Sequence, residues 1–481
     1  MNFIIENIQQ LFTNWNGKPA DTIEKLQQSG SDRIYYRIFF NDQTFIATYN
    51  LNIRENKTFI AFTRHFKAMQ LPVPAIFCIN NDYTIYIQED VGTESLLNKL
   101  EAEGQTENIF NLYKKSLQNL SAIQIKGNTE LNYSLCLTAQ EFGKETILSD
   151  LLYFKYYFLD TLKLPYDKQA LLKDFDALST YLSFCEHKYF MFRDFQSRNI
   201  MIKNNSVSFI DFQGGMKGAL QYDVASLLWQ AKAALSNEWK EKLLLYYIDE
   251  AEKLLQQKIE RSTFINQYNG YVLLRLLQVL GAYGFRGLFE RKAHFLTSIP
   301  LGLLNLKYFL ENKKVGISTP EFDRVLKTIA SVETIEKFTP PQANEHTPLR
   351  VTINSFSYKK GIPEDTSENG GGFVFDMRGI LNPGRQEVYK YLSGKDKPVQ
   401  DFLEQNTKMP VFLNSVWDLI DTNVENYLER NFENLVINFG CTGGQHRSVY
   451  AAEQTARHLR NKYNLKVGIH HTNENNWIKA E

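Results

Sequence analysis

Three short runs near the start of the chain are dense in β-branched and aromatic residues: 33–40 (RIYYRIFF), 44–49 (TFIATY) and 83–88 (YTIYIQ). Asn41-Asp42 and Asn80-Asn81-Asp82 separate them, and such pairs mark turns because Asn and Asp tolerate left-handed backbone. The pattern predicts a small antiparallel sheet, interrupted by a helix at 56–69 that Pro72-Val73-Pro74 ends. From about 95 to 312 the apolar spacing is helical, with one break. Residues 190–213, FMFRDFQSRNIMIKNNSVSFIDFQ, read as strand or loop, short strand, Asn204-Asn205 turn, short strand and loop. Helices are predicted at 224–235 and 239–256. Residues 336–349 (EKFTPPQANEHTPL) hold three prolines among polar groups and read as a linker. Beyond it, strands at 350–356, 373–377 and 435–440 (LVINFG) alternate with helices at 396–406, 415–430 and 446–463, the pattern of an α/β unit.

Length and composition narrow this picture. At roughly 150 residues per domain, 481 residues imply two or three domains, and 43% hydrophobic against 22% charged residues suffices for more than one core. No run approaches the roughly 18 apolar residues of a membrane helix, so no membrane partner is expected. The start, MNFIIENIQQLF, lacks a basic region and a small-residue cleavage site, and is not expected to be a secretory signal. A formal charge of +0 argues against nucleic-acid binding by bulk charge but leaves room for a local patch. Cys78, Cys136, Cys185 and Cys441 lie far apart with no CxxC pair. Neither a disulfide framework nor a cysteine zinc site is expected, and a cytoplasmic location fits.

The sharpest chemical signal is Asp194-x4-Asn199 followed twelve residues on by Asp211, in Phe209-Ile210-Asp211-Phe212. Phosphoryl transfer needs metal ions to hold phosphates and a carboxylate to orient and deprotonate the attacking hydroxyl. Asp194 is placed for that base. Asn199 and Asp211 are oxygen donors suited to Mg²⁺, and the hairpin between them returns Asp211 to the loop. A lone DxxxxN is common and could merely cap a turn. Arg193 before the Asp, the strand-turn-strand and the apolar-flanked Asp211 make the combination more specific.

FRDFQSRNIM…SFIDFQGGMKGALQYDVASLL resembles the aminoglycoside phosphotransferase/choline kinase superfamily, and within it the N-acetylmuramate/N-acetylglucosamine kinase (AmgK) group. SGSDRIYYRI (29–38) and LLRLLQVLGAYGFR (273–286) are similar to further stretches of that group. The resemblance covers about residues 1–330 and implies a two-lobed kinase fold with ATP and Mg²⁺ in the cleft. Asp194 would be the base, and Asn199 and Asp211 the metal ligands. Phe192 departs from the motif, which has His there. Thr48 stands where ordinary kinases carry the Lys that pairs ATP phosphates, a Lys the amino-sugar group also lacks. Arg33 and Arg37, on or near the first strand pair, are candidates for the phosphates; as solvated strand-face residues they would do nothing of the kind. Glu141 and Arg198 are candidate substrate-binding residues. Asp223 is a candidate acid near the cleft, better read as a helix N-cap.

LVINFG-CTGGQHRS-VYAAEQTARHL is a strand, a glycine-bearing loop and a helix, a geometry that aims backbone N–H groups at an anion. Cys441-x5-Arg447-Ser448 has the spacing of a cysteine phosphatase; a phosphate-binding loop without a nucleophile and a plain strand-to-helix turn are the alternatives. GCTGGQHRSVYAAEQ is similar to the C-terminal domain of the RNase adapter protein RapZ, as are INSFSYKKGIP (353–363), FDMRGILNP (375–383) and SGKDKPVQDFL (393–403). That likeness covers about 350–472 and implies a site for an amino-sugar phosphate. Asp376, Arg378, Asn382, Gly443, Gly444, His446, Arg447, Ser448 and His471 match its pattern, and Cys441 and Thr442 belong to the same loop. The family's basic tail is missing. Residues 349–481 hold 16 Lys+Arg against 16 Asp+Glu, so RNA is not an expected partner.

The expectation is therefore an α+β two-lobed protein-kinase-like fold followed by a separate α/β domain. The kinase domain would span 1–335, with a small lobe to about 92 and a helical lobe beyond. A linker at 336–349 and a sugar-phosphate-binding domain at 350–481 would follow. The leading reading is an ATP-dependent amino-sugar kinase; a pseudokinase sensor and a bifunctional kinase–phosphatase are the alternatives.

Overall fold

The computed structural model describes residues 2–26, 33–290, 293–365 and 372–478. Its contacts divide the chain into two compact units: Met1–Ala282 with Leu301–Ser331, and Tyr283–Pro300 with Val332–Glu481.

The first unit opens with helix α1 (Asn2–Asn16) and strands β1 (Thr22–Lys25), β2 (Ile34–Phe40) and β3 (Gln43–Tyr49). Helix α2 (Ile53–Ala68) and strands β4 (Ile76–Ile79) and β5 (Ile85–Glu89) follow. The five strands lie in the order β1-β2-β3-β5-β4 with every neighbour antiparallel. Side-chain alternation gives β2 two characters. Tyr36 and Ile38 enter a core with Phe45, Ala47, Ile85 and Ile87, which Ile8 and Phe12 of α1 close. Arg33, Tyr35 and Arg37 take the other face. Asn52 caps α2 by accepting the Glu55 N–H, which fixes Glu55 in the first turn.

The helical lobe contains β6 (Glu94–Ser95), α3 (Leu96–Glu103), α4 (Glu107–Ile125), α5 (Lys144–Tyr157) and α6 (Lys168–Ser183). Four short strands come next: β7 (Lys188–Met191), β8 (Ile200–Lys203), β9 (Ser206–Phe209) and β10 (Met216–Ala219). β8 and β9 form the expected hairpin, with Asn204 and Asn205 both at positive φ in its turn. β7 pairs with β10, so the loop after β7 is held between two sheet fragments. Then come α7 (Leu220–Leu228), α8 (Asn237–Leu255) and α9 (Arg261–Tyr283); α10 (Ala293–Leu296) falls in the stretch that groups with the second unit, and α11 (Ile299–Asn312) and α12 (Pro320–Ile329) complete the lobe. One sequence expectation needs correction: α9 and its π-helical continuation, Arg261–Phe289, are long and apolar enough to cross a membrane. More than half of that apolar window is buried inside the protein, as in a core helix.

The second unit carries α13 (Val332–Phe338), β11 (Arg350–Ser357), β12 (Phe373–Asp376), α14 (Lys397–Asn406) and α15 (Met409–Glu429). β13 (Asn434–Cys441), α16 (Arg447–Tyr463) and β14 (Val467–His471) complete it. Its sheet has the order β12-β13-β11-β14, every pair parallel. Central strands of a parallel sheet are covered on both faces, which is why β11 and β13 read as near-continuous apolar runs. Ile353, Ile437 and Phe439 pack with Val399, Leu403, Leu413 and Ile420 in one core. Because all four strands point the same way, Ser357, Asp376, Cys441 and His471 end on one edge, where ligands of open parallel sheets bind.

Gly440 is small for a packing reason: a Cβ there would collide with the rings of Phe356 and Tyr358. Gly440→Ala should therefore destabilise this unit by about 1–3 kcal/mol, read from the midpoint of its urea unfolding. An unchanged midpoint would show that the rings move aside freely.

Candidate functional site

The loop that follows β7 is pinned by a buried carboxylate. Asp223, fully buried in α7, accepts the backbone N–H of Phe192 at 2.7 Å, that of Arg193 at 2.9 Å and the Gln124 amide at 2.9 Å. This corrects the N-cap expectation. α7 begins at Leu220 with Ala219 as its cap, and Asp223 turns its oxygens out of the helix to donors of the loop. Phe192 gives up the hydrogen bond a His would make but keeps its backbone donor. Its ring packs edge-on against Phe195, Phe209 and Phe212. Arg193 sits at φ +75 and Asp211 at φ +70, strained conformations for non-glycine residues, on either side of the hairpin.

Held this way, Asp194 is solvent-exposed, and its carbonyl accepts the Asn199 amide at 2.9 Å. The same amide reaches Asp211 Oδ2 at 3.5 Å, so the three residues read from the sequence share one site. Phe212 locks the second loop by stacking on Phe59 and packing against Phe66, both of α2. Burial pushes the Asp211 carboxyl up, but the Arg33 charge, Gln213 and Arg198 outweigh it and hold the group below its usual range. Arg198, exposed on the turn Ser197–Asn199, therefore lies on the Asp211 side.

Arg33 and Arg37 part company. Arg33 pairs with Asp211 at 2.6 Å and with Glu55 of α2 at 3.6 Å. Thr48 is buried between Tyr35 and Tyr86 in the strand register, so the positive charge comes instead from the residue that leads into β2. Arg37 is engaged by Asp90 at 2.7 Å, on the segment joining the two lobes. Residues 29–32 of the stretch that suggested these arginines lie outside the described residues, as do 479–481 of the tail. Glu141 is not brought to the loop either; it accepts from Lys188 at 2.6 Å, at the far end of β7 from Asp194.

Three participants escaped the sequence reading. Glu55 is a lone acid in a capped first turn, a signal that needs the sheet to be interpretable. Asp150 and Arg275 are charges within apolar helical runs, DLLYF and VLLRLLQVL, and both are buried beside the loop.

In the second unit the structure sorts the candidate residues into two groups. Cys441 is buried; its Sγ accepts the Gly444 N–H at 3.2 Å and lies 3.2 Å from Ser448 Oγ. Gly444 takes φ +63, with Asn473 and the Ser357 N–H packed where a Cβ would be. His446 bonds the Tyr389 carbonyl at 2.9 Å, and His471 is held between Ser355 and Glu453. Burial lowers the pKa of both imidazoles. Arg447 is buried and donates to the carbonyls of Arg378 and Ile380 at 3.0 and 2.7 Å. These residues brace the loop. Thr442 and Gly443 are exposed on its rim, with open space above Gly443. Asp376 and Arg378 form an exposed pair at 2.6 Å, Arg378 lying over the Tyr358 ring. Asn382 caps the turn Pro383–Arg385. Cysteine-phosphatase chemistry asks the Arg to grip the phosphate that the thiolate attacks; here Arg447 gives its Nη1 to two backbone carbonyls, while its buried Nε has no hydrogen-bond partner among the described residues.

Residues 49–255 match the model of the phosphotransferase enzyme family. Residues 349–475 match that of the RapZ C-terminal domain. A curated relative from Endomicrobium trichonymphae, named a nucleotide-binding protein, is 38% identical over 123 residues, 26% of this chain and 41% of that protein. The match thus spans under half of that relative's length. Among solved structures, choline kinase from Cryptosporidium parvum Iowa II shares 13% identity over 68% of this chain and 99% of its own, with a TM-score of 0.47. Plasmodium vivax ethanolamine kinase shares 15% over 60% and 82%, with a TM-score of 0.44. The chain has the two-lobed kinase-like α+β fold followed by a separate domain built on a parallel sheet.

The brace itself titrates. Burial pushes the Asp223 carboxyl up from its ordinary 3.8 to about 7, against the pull of the Phe192 and Arg193 N–H groups, Gln124 and Arg275. The folded protein therefore takes up this proton before the unfolded chain does. The contribution of Asp223 to stability is greatest below about pH 4, erodes as pH rises to about 7 and is constant above. Urea unfolding at about pH 5 and pH 8 should show the wild type losing stability relative to Asp223→Asn at the higher pH. A pH-independent difference between the two would mean that the carboxyl titrates normally.

Proposed function

We propose that the first unit transfers the γ-phosphoryl group of ATP to a hydroxyl of a small amino sugar. The observation that carries the transfer is the convergence of exposed Asp194, Asn199 and Asp211 on one braced loop pair, with Arg33 delivered to it from the sheet. The phosphotransferase family match supports the same reading. Asp194 accepts the proton of the attacking hydroxyl as the oxygen approaches phosphorus. Asn199 Oδ1 and Asp211 are hard oxygen donors that fit a divalent ion. Such an ion, Mg²⁺ in this reading, neutralises charge on the phosphates when bound. Arg33 and Arg198 stand near Asp211 to receive phosphate oxygens. The amino sugar rests on the sequence likeness to the N-acetylmuramate/N-acetylglucosamine kinases. So does a cytoplasmic role in recycling cell-wall sugars.

The second unit, in this proposal, binds an amino-sugar phosphate at the rim formed by Thr442 and Gly443. Backbone N–H groups at the start of α16 would be the donors, since a helix leaves its first four N–H groups without intrahelical partners. Arg447 braces this site from beneath through its Nη1.

Asp194→Asn keeps the side-chain shape and loses the basic acceptor, so kcat should fall by about 10²- to 10⁴-fold while Mg–ATP still binds. A coupled ADP assay over a panel of free sugars measures this, and wild-type turnover in the variant would remove Asp194 as the base. For the second unit, calorimetry should show Cys441→Ser binding glucosamine-6-phosphate within a few-fold of wild type, and the wild type should not turn over an aryl phosphate. Aryl-phosphate hydrolysis that disappears in Cys441→Ser would establish a phosphatase in place of a binding loop.

A further inference from the structure

Four polar side chains close a ring behind the proposed metal ligand. Asp211 Oδ1 accepts Arg33 Nη2 at 2.6 Å and Gln213 Nε2 at 2.9 Å. The same Gln213 nitrogen reaches Glu55 Oε1 at 3.4 Å, and Arg33 Nε stands 3.6 Å from that oxygen. Asn50 holds Glu55 by its other oxygen, at 2.9 Å. Arg33 and Gln213 thus span the same two carboxylates, one with a charge and one without. Gln213 is buried, at 6% exposure. Between two carboxylate oxygens only the NH2 end of its amide is tolerated, because the other end is an acceptor facing acceptors. That NH2 has two hydrogens, one for each acid. A glutamate at 213 would bring a third carboxylate and donate nothing.

The two oxygens of Asp211 are left unequal. Oδ1 has two donors, while Oδ2 meets only the Asn199 amide, at 3.5 Å, among the described residues. The Asp211 side chain is 33% exposed, so a ligand can reach it. Its backbone is anchored by Phe212, stacked on Phe59, and the freedom that remains is rotation of the carboxylate. In the kinase proposed above, Arg33 turns to phosphate oxygens once nucleotide is bound. Gln213 is then the donor that stays on Oδ1, and it still stands between Asp211 and Glu55. We propose that Gln213 is a positioning residue for the metal ligand: it keeps Oδ1 occupied, so that Asp211 offers a divalent ion Oδ2 alone and in one direction. This deepens the kinase reading, on which it rests for calling Asp211 a metal ligand. The consequence is selectivity among ions. Mg²⁺ demands near-ideal octahedral geometry, whereas Ca²⁺ accepts irregular shells and bidentate carboxylates. A single oxygen held in place suits the first. A carboxylate free to turn both oxygens outwards suits the second.

The test reads metal binding rather than turnover, on the full chain saturated with the non-hydrolysable nucleotide AMP-PNP. Bound Mn²⁺ is counted by electron paramagnetic resonance and displaced with Mg²⁺ or Ca²⁺. Gln213→Met, close to the native length but without a donor, should weaken Mg²⁺ by roughly tenfold or more, the effect of losing a hydrogen bond to a charged group. Ca²⁺ should weaken by less than about threefold or bind more tightly. AMP-PNP affinity in EDTA should stay within about twofold of wild type, since Gln213 is not assigned to the nucleotide. A melting curve checks that the variant is folded. If it is not, Gln213→Asn, whose amide falls one methylene short of Asp211, carries the same comparison. Unchanged Mg²⁺ affinity in a folded variant would overturn the proposal. So would equal losses of Mg²⁺ and Ca²⁺, which mark general damage to the site. The kinase reading fails separately. Wild-type protein that binds no Mn²⁺ with AMP-PNP removes the metal assignment and this proposal with it. Ion selectivity that depends on Gln213, with no phosphoryl transfer to any sugar, leaves the positioning role standing and removes the activity.

Discussion

The Asp223 carboxylate is the point on which the loop after β7 depends. It lies at 0% exposure, and its two oxygens take N–H groups from Phe192, Arg193 and Gln124, joining α7, the loop and α4 at one place. Burying a carboxylate is costly unless donors surround it, and three donors meet that condition here. The consequence is mechanical. Arg193 can persist at a positive φ only because its N–H is tied down, and that conformation delivers Asp194 to solvent and Asn199 back towards Asp211. The aromatic ring at 192 is tolerated for the same reason. The brace acts through the backbone, so the side chain is free to serve the apolar cluster.

How far the sequence could be read depends on the range of the interaction. Local signals were legible. The Asn204-Asn205 turn, the hairpin it closes, the parallel strands LVINFG and VTINSF and the loop after them all follow from period and turn chemistry. Asp194, Asn199 and Asp211 were legible because their spacing is itself local. What escaped depends on distant pairing. That Arg33 meets Asp211 across 178 residues while Arg37 meets Asp90 cannot be told from two arginines on one strand face. Asp223 was misread because Tyr-Asp before an apolar helix looks like a cap until the loop donors are in view. Short strands such as TIEK and IFCI are too brief to show a period.

The second unit repeats this division on a different scaffold. Parallel strand ends bring Asp376, Cys441 and His471 to one edge, as the pattern implied, but burial separates them by task. Arg447, the residue most suggestive of anion binding in sequence, turns its Nη1 to two backbone carbonyls. The exposed surface is left to Thr442, Gly443 and the Asp376–Arg378 pair. In the proposal made above, recognition of an anion there would fall mainly to backbone N–H groups.

In the kinase proposed above, the Arg33–Asp211 pair would impose a sequence of arrival. While the guanidinium neutralises Asp211, a bare divalent ion has to displace a counter-ion already in place. A triphosphate offers Arg33 a denser negative partner and frees the carboxylate in the same movement. The metal would then be admitted as the passenger of its nucleotide rather than ahead of it, and the small lobe, through one arginine, would act as the gatekeeper of the large one.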